Sequence, residues 1–150
     1  MQKTIQHTYF FPHTAEVVWE YLTNAELMRL WLMKNDFLPI VGHQFNFKTN
    51  PVPQLNFDGI VYCTVLEVKP AQKLIYSWKC GPGEGKIELD SIVEWTLQPK
   101  EGGTELHLNH GNFTVFENPA LFEGFRDGWP KHIKRIDDNI NTAVHGTTNA

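Results

Sequence analysis

An amphipathic segment near the C-terminus constrains the fold of this chain more than any other feature. It begins at Gly128-Trp129-Pro130-Lys131, and charged residues occupy most positions between its apolar ones. The apolar side chains recur at intervals of three and four residues, as on one face of an α-helix: Trp129, Ile133, Ile136, Ile140 and Val144. Most of the sequence upstream alternates with a period of two, which is typical of β-strands. One long helix must therefore cover the apolar face of a sheet.

The sequence before this helix predicts a strand, two short helices and then a run of strands. Residues 4–11 alternate as a first strand, and Thr14 and Asn24 suit the N-caps of the two helices that follow it. Further alternating segments lie near 44–49, 57–68, 74–80, 87–97 and 104–113. Asn118 and Pro119 then suit the start of the long helix. The predicted class is α+β, with an antiparallel sheet of about six or seven strands.

Composition limits the kinds of partner. A chain of 150 residues with 41% apolar residues has the size of one domain with a proper core, so we expect a single domain over residues 1–150. The net charge is −4 and the only adjacent basic pair is Lys134-Arg135, so the attraction to phosphates that nucleic-acid binding needs is missing. The sequence shows no apolar stretch of about 18 residues and no signal-peptide pattern. We therefore expect no nucleic-acid partner, no membrane span and a cytoplasmic location.

The chain is rich in aromatic side chains, which must either fill a core or line a cavity. It has five Trp, four Tyr and ten Phe. Side chains do not always fill the space between a bent sheet and a helix, which leaves an elongated apolar pocket, and strand parity turns most of these rings inward. The predicted ligand-binding residues are Trp31, Phe45, Phe47, Tyr62, Tyr76, Trp78, Trp95, His110, Phe125 and Trp129. Complete filling of the interior by the same rings is the alternative.

His110 is the polar residue of greatest interest in this set. Its parity matches that of Leu106 and Leu108, so it should face the concave side of the sheet, where an imidazole can donate or accept a hydrogen bond. A core histidine satisfied by its neighbours is the alternative. His107 lies three residues away on the same strand and points to the other face, so the two cannot easily share a metal ion. We predict no metal site, no cofactor and no catalytic residue, since no nucleophile–base pair, phosphate loop or zinc motif is present.

Several short motifs carry a resemblance to a known family. They are Val18-Trp19, LTNAEL (22–27) with Trp31, VLEVKP (65–70), LIYSW (74–78), GTELHLNHG (103–111) and Gly128-Trp129. With these motifs the chain resembles the helix-grip superfamily (SRPBCC) of START-like lipid-transfer domains, the birch pollen allergen and polyketide cyclases. Within it, the chain resembles the family of the heat-shock protein 90 ATPase activator homologue (the AHSA type). The resemblance implies a curved antiparallel sheet wrapped around a long C-terminal helix, with two short helices after the first strand.

Three functions are compatible with this fold and this resemblance. The favoured one is a small-molecule binding protein that holds a hydrophobic or aromatic ligand, lipid-like, sterol-like or polyketide-like, between the sheet and the C-terminal helix. The second is an interaction module that acts on a chaperone in the stress response, which we expect less because the activators carry a further N-terminal domain. The third is a cyclase- or hydrolase-like enzyme that uses His110 with His7 or Glu20 in the same cavity. Both a monomer and a homodimer fit the sequence.

Overall fold

The structure, a computed structural model, describes the backbone of residues 3–148 and the side chains of residues 3–143. Its elements follow the predicted order. They are strand β1 (Ile5–Phe11), helices α1 (Ala15–Thr23) and α2 (Ala25–Trp31), strands β2 (Lys34–Asn35), β3 (Gln44–Lys48), β4 (Ile60–Lys69), β5 (Lys73–Cys80), β6 (Leu89–Lys100) and β7 (Gly103–Phe116), and helix α3 (Pro119–Thr148). A short 3-10 helix (Pro53–Leu55) lies between β3 and β4. Within the described part of the chain, none of the helices combines the length and the hydropathy that a membrane span requires.

The seven strands form one antiparallel sheet in the order β1-β7-β6-β5-β4-β3-β2. The predicted α+β helix-grip architecture is confirmed: two short helices follow β1, and the long helix α3 comes last. Strand β2 was not predicted, because two residues are too short to show a period. It pairs with β3 at the edge of the sheet, with Lys34 opposite Lys48 and Asn35 opposite Phe47.

Interruptions of the strand pairing help the sheet to bend. The register shifts between Val65 and Glu67 on β4, and between Asp90 and Ile92 on β6. Opposite the second shift, Asn112 on β7 has a φ of 53°, in the left-handed region that asparagine tolerates better than most residues. Such bulges increase the local twist of a strand and re-aim its side chains. On β7 the second shift falls between Gly111 and Val115, so the regular pairing ends one residue after His110.

The predicted helix starts are confirmed by capping hydrogen bonds. Thr14 Oγ1 accepts from the backbone N–H of Val17 at 3.3 Å, and Asn24 Oδ1 accepts from that of Leu27 at 3.2 Å. Asn118 Oδ1 accepts from the backbone N–H of Leu121 at 3.0 Å. Each cap satisfies a backbone donor that a helix cannot satisfy by itself. The chain therefore enters all three helices with its first turn stabilised.

The apolar face predicted for α3 packs into the core. Trp129, Ile133, Ile136 and Ile140 are all buried, and only the last of them is more than 2% exposed. Val144, the fifth predicted position, lies outside the residues whose side chains the structure describes. The helical period therefore identifies the buried face correctly where it can be compared with the structure.

One carboxylate of α3 ties the helix to the first strand. Asp137 Oδ2 accepts from the Tyr9 hydroxyl at 2.9 Å, and Asp137 Oδ1 lies 3.0 Å from His13 Nε2. Burial, together with the hydrogen bond to Asp137, raises the pKa of Tyr9 to about 12. The phenol therefore stays protonated and keeps donating over the ordinary pH range.

Replacing Asp137 with alanine is expected to lower the free energy of unfolding by about 1–2 kcal/mol, because Tyr9 and His13 both lose their acceptor at a partly buried site. Urea denaturation measures this. The control is Asp138→Ala, one residue further along: Asp138 pairs at the surface with Lys134, so its loss should change stability by no more than about 0.5 kcal/mol. Equal losses in the two variants would contradict the proposed tie.

Candidate functional site

A cavity of about 310 Å³ lies beside α3, between that helix, the end of α2 and the sheet. Its lining residues are Leu32, Met33, Thr49, Phe57, Trp78, Gly124, Phe125, Trp129, His132 and Arg135. The floor is apolar, since Phe57, Trp78 and Trp129 are buried, whereas Thr49 and Arg135 are exposed at the mouth. The volume is at the lower end of the range for small-molecule sites, about 300–1,000 Å³. Two other depressions lie on the outer face of the sheet and have mainly polar linings.

Helix α3 supplies half of the lining. Phe125, Trp129 and His132 follow one another at intervals of four and three residues, so they lie along one face of the helix. The segment before β4 closes the far side: the ring of Phe57 packs edge-to-face on Phe125 with centroids 6.2 Å apart. A methyl group at position 124 would contact only the Leu55 side chain, at 3.7 Å. There is therefore room for a small side chain at this position of the helix.

The aromatic floor continues into the core. Trp78 contacts both Phe125 and Trp129, with centroid distances of 5.4 Å and 5.3 Å. Trp129 then packs edge-to-face on Trp95 at 5.4 Å, and Trp95 on Trp31 at 5.8 Å. Such pairs add about 0.5–1.5 kcal/mol each beyond the area they bury. The rings beyond the floor therefore act as a packed support for those that border the cavity.

The indole N–H of Trp78 has no hydrogen-bond partner among the described residues, although the side chain is fully buried. Other buried indoles are satisfied. Trp31 Nε1 donates to the backbone carbonyl of Tyr21 at 2.7 Å, and Trp95 Nε1 donates to the Tyr76 hydroxyl at 2.9 Å. An unpaired buried donor costs about 1–3 kcal/mol. An acceptor atom brought within hydrogen-bond distance of this N–H would recover this energy.

His110 belongs to a directed chain of hydrogen bonds in the core. Trp129 Nε1–H donates to His110 Nδ1 at 3.1 Å. At the other end, the Ser91 hydroxyl donates to the backbone carbonyl of Trp78 at 3.1 Å. The proton between His110 Nε2 and Ser91 Oγ, which are 2.8 Å apart, therefore belongs to the histidine. Both ring nitrogens are thus occupied in a neutral imidazole, and burial lowers the pKa of His110 to about 3. His110 acts here as a core residue that orients Trp129.

The partners that an enzymatic mechanism would require do not reach His110. His7 is half-buried on β1 opposite Leu108, and Glu20 is exposed on α1. The side-chain partners of the His110 ring are Ser91 and Trp129. The structure therefore does not bring together the acid and base that the cyclase-like hypothesis pairs.

A second histidine, His132, holds an arginine at the mouth of the cavity. Arg135 Nη1 lies 3.2 Å from His132 Nδ1, one turn apart on α3. Burial lowers the pKa of His132, the nearby charge of Arg135 lowers it further, and the ring also hydrogen-bonds to the backbone of Trp31. A neutral ring whose Nδ1 accepts from Arg135 satisfies these contacts. Among the described residues no carboxylate forms an ion pair with Arg135, whereas its neighbour Lys134 pairs with Asp138 at 3.1 Å.

The structure divides the ten predicted ligand-binding residues into three groups. Those that line the cavity are Trp78, Phe125 and Trp129. Those that are buried in the core without lining it are Trp31, Phe45, Phe47, Tyr76, Trp95 and His110. The remaining residue, Tyr62, points outward and is 39% exposed, because Val61 and Cys63 take the inward positions on β4.

The other lining residues escaped the sequence-based prediction. They are Leu32, Met33, Thr49, Phe57, Gly124, His132 and Arg135. Helical spacing could have identified His132, which follows Trp129 by three residues. Leu32, Met33 and Thr49 follow the ends of elements, where no periodic pattern indicates a direction.

Comparisons with known proteins agree with this fold. Residues 12–141 match the family model described as activator of Hsp90 ATPase homolog 1-like protein. Protein MLL2253 from Mesorhizobium loti is 30% identical with a TM-score of 0.81, over 93% of this chain and 98% of that one. Protein BH1534 from Bacillus halodurans is 23% identical (TM-score 0.70, 92% and 98% covered), and the Aha1 dimer from Colwellia psychrerythraea is 16% identical (TM-score 0.71, 91% and 94% covered).

At 23% and 16% identity the last two structures show a common fold only. None of the curated proteins compared with the chain matches it. The match to the family model, however, extends over most of the sequence and includes α3 up to the end of its described buried face. The chain therefore belongs to the family of activator of Hsp90 ATPase homolog 1-like proteins.

Proposed function

We propose that the protein binds a hydrophobic or aromatic small molecule in the cavity beside α3. The observation that carries this proposal is the fully buried Trp78, which borders the cavity and keeps an indole N–H without a partner among the described residues. The partly exposed side chains of Leu32, Met33 and Phe125 in the lining offer apolar area that a ligand would cover, worth about 25 cal/mol per Å² before the costs of association. A ligand with one inner acceptor atom would satisfy both features.

An activator-like role towards a chaperone is the second candidate, and the family fits either kind of module. The observation that favours it is a group of exposed apolar side chains beside β4: Leu38, Ile40, Val41 and Leu66. The backbone N–H of Gly42 donates to the carbonyl of Val65 at 2.8 Å, so this loop lies along β4. Apolar surface of this kind suits a protein partner. A pull-down with Hsp90 tests the role, and failure to retain the protein would exclude it.

Two substitutions at Gly124 test the small-molecule proposal. Gly124→Leu should place a branched side chain at the mouth of the cavity and weaken ligand binding at least tenfold. Gly124→Ala should leave binding unchanged and raise the free energy of unfolding by up to about 1 kcal/mol, because alanine favours a helix over glycine and its methyl group has room.

The readout is the Tm of the purified protein with a panel of aromatic acids, aromatic amides, fatty acids and sterols. A ligand should raise the Tm of the wild type and of Gly124→Ala, and have little effect on Gly124→Leu. A panel that leaves the wild-type Tm unchanged would count against small-molecule binding. Equal shifts in all three proteins would move the binding site away from this cavity.

A further inference from the structure

We infer that the natural ligand is a small hydrophobic carboxylate whose negative charge is bound by Arg135 at the mouth of the cavity. The inference rests on the proposed small-molecule function and specifies the chemical class of the ligand. It starts from the charge of the lining. The whole chain has a net charge of −4, yet the only lining residue that is charged at neutral pH is Arg135.

The local contacts prepare Arg135 for an anion. Its guanidinium has five N–H donors in a planar fork, and the one side-chain acceptor it has among the described residues is His132 Nδ1 at 3.2 Å. That histidine is neutral and is itself held by the backbone of Trp31. The remaining donors face no carboxylate of the described part of the chain. An arginine fork pairs well with the two oxygens of a carboxylate.

The position of Arg135 orients the rest of the ligand. Arg135 is exposed at the mouth, whereas Trp78 and Trp129 lie buried at the floor. A ligand whose carboxylate stays at the mouth must therefore place its apolar body against these rings. Trp78, whose N–H lacks an acceptor among the described residues, is one of these floor residues, so a second polar atom close to it is compatible with this orientation.

The volume limits the size of the ligand. One water molecule in the liquid occupies about 30 Å³. A cavity of about 310 Å³ therefore has the volume of about ten water molecules, which corresponds to about ten non-hydrogen atoms that are not bonded to one another. Covalently linked atoms lie closer together, so a bicyclic aromatic acid or a medium-chain fatty acid fits. A sterol would be too large without movement of α3 or of the Phe57 segment.

The test uses a matched pair of probes, 2-naphthoate and 2-naphthamide, which have nearly the same shape and differ in charge. Calorimetric titration at neutral pH and low salt should give a Kd for the acid about tenfold lower than for the amide, because a charged acceptor forms the stronger hydrogen bonds with the guanidinium. Added salt should weaken binding of the acid and leave the amide unaffected.

Two variants locate the effect. Arg135→Gln should remove the preference for the acid while leaving the Kd of the amide unchanged. Lys131→Gln removes the same charge from an exposed position of α3 that does not line the cavity, so the preference should remain. Thermal unfolding should be similar in all three proteins, since both substituted side chains are exposed.

The possible outcomes separate this inference from the proposed function. Equal Kd values for the acid and the amide in the wild type would overturn the carboxylate assignment and leave the small-molecule function standing. A preference that persists in Arg135→Gln would likewise overturn the role of Arg135. Failure of both probes and of the whole thermal-shift panel would overturn the proposed function, and the inference with it.

Discussion

Replacing His110 with alanine is expected to lower the free energy of unfolding by about 3–5 kcal/mol. The side chain is fully buried, so its removal leaves a cavity that the surrounding core can fill only in part. The substitution also takes the acceptor away from Trp129 Nε1–H and the donor away from Ser91 Oγ. A buried donor left without a partner costs about 1–3 kcal/mol. Urea denaturation, followed by tryptophan fluorescence, measures the loss.

His107→Ala is the matched control. His107 lies on the same strand, three residues before His110, and faces the outside, where it contacts Thr8 and Glu105. Its loss should change the free energy of unfolding by less than about 1 kcal/mol. A variant without His110 that stays as stable as the wild type but loses ligand affinity would show that this residue contacts the ligand instead of supporting the core.

The wild-type protein is expected to lose stability as the pH falls below about 6.5, in part because of His110. In the unfolded chain this histidine takes up a proton near its ordinary pKa of 6.5, whereas in the folded protein its pKa is lowered to about 3. Between these values unfolding takes up a proton, so acid favours the unfolded state. The slope is about 1.4 kcal/mol per pH unit for one group, which amounts to at most roughly 5 kcal/mol near pH 3.

His110→Ala isolates this contribution, because the variant lacks the group. The difference in stability between the wild type and the variant should be largest above pH 7 and should shrink by about 3 kcal/mol by pH 4. His132, whose pKa is also lowered, is present in both proteins and cancels in the difference. Denaturation curves at stepped pH values provide the measurement. Curves that stay parallel from pH 7 to pH 4 would show that His110 titrates normally in the folded state.

The helices illustrate how far local patterns reach. The spacing of Trp129, Ile133, Ile136 and Ile140 identified a buried face, and Thr14, Asn24 and Asn118 identified the helix starts. These predictions succeed because a helix repeats every 3.6 residues and its caps act over three or four residues. Both signals are contained in neighbouring residues and need no knowledge of the rest of the chain.

Strand β4 illustrates where such patterns stop. A period of two separates Tyr62 and Leu66 from Val61, Cys63 and Val65, but both sets contain apolar residues. The pattern therefore shows which residues share a face without showing which face is inside. The sheet settles this, because its concave side must pack against α3, and it leaves Tyr62 outside.

The class of every long element, their order and the family resemblance could be read from the linear chain, because each depends on residues close together in sequence. The cavity depends on the three-dimensional arrangement instead. It joins Leu32 after α2, Thr49 after β3, Phe57 before β4 and Arg135 on α3. The distance between helix and sheet determines whether an inward-facing ring is enclosed in the core, as Trp95 is, or borders the cavity, as Trp78 does. That distance results from the packing of all the side chains between them, which no local pattern records.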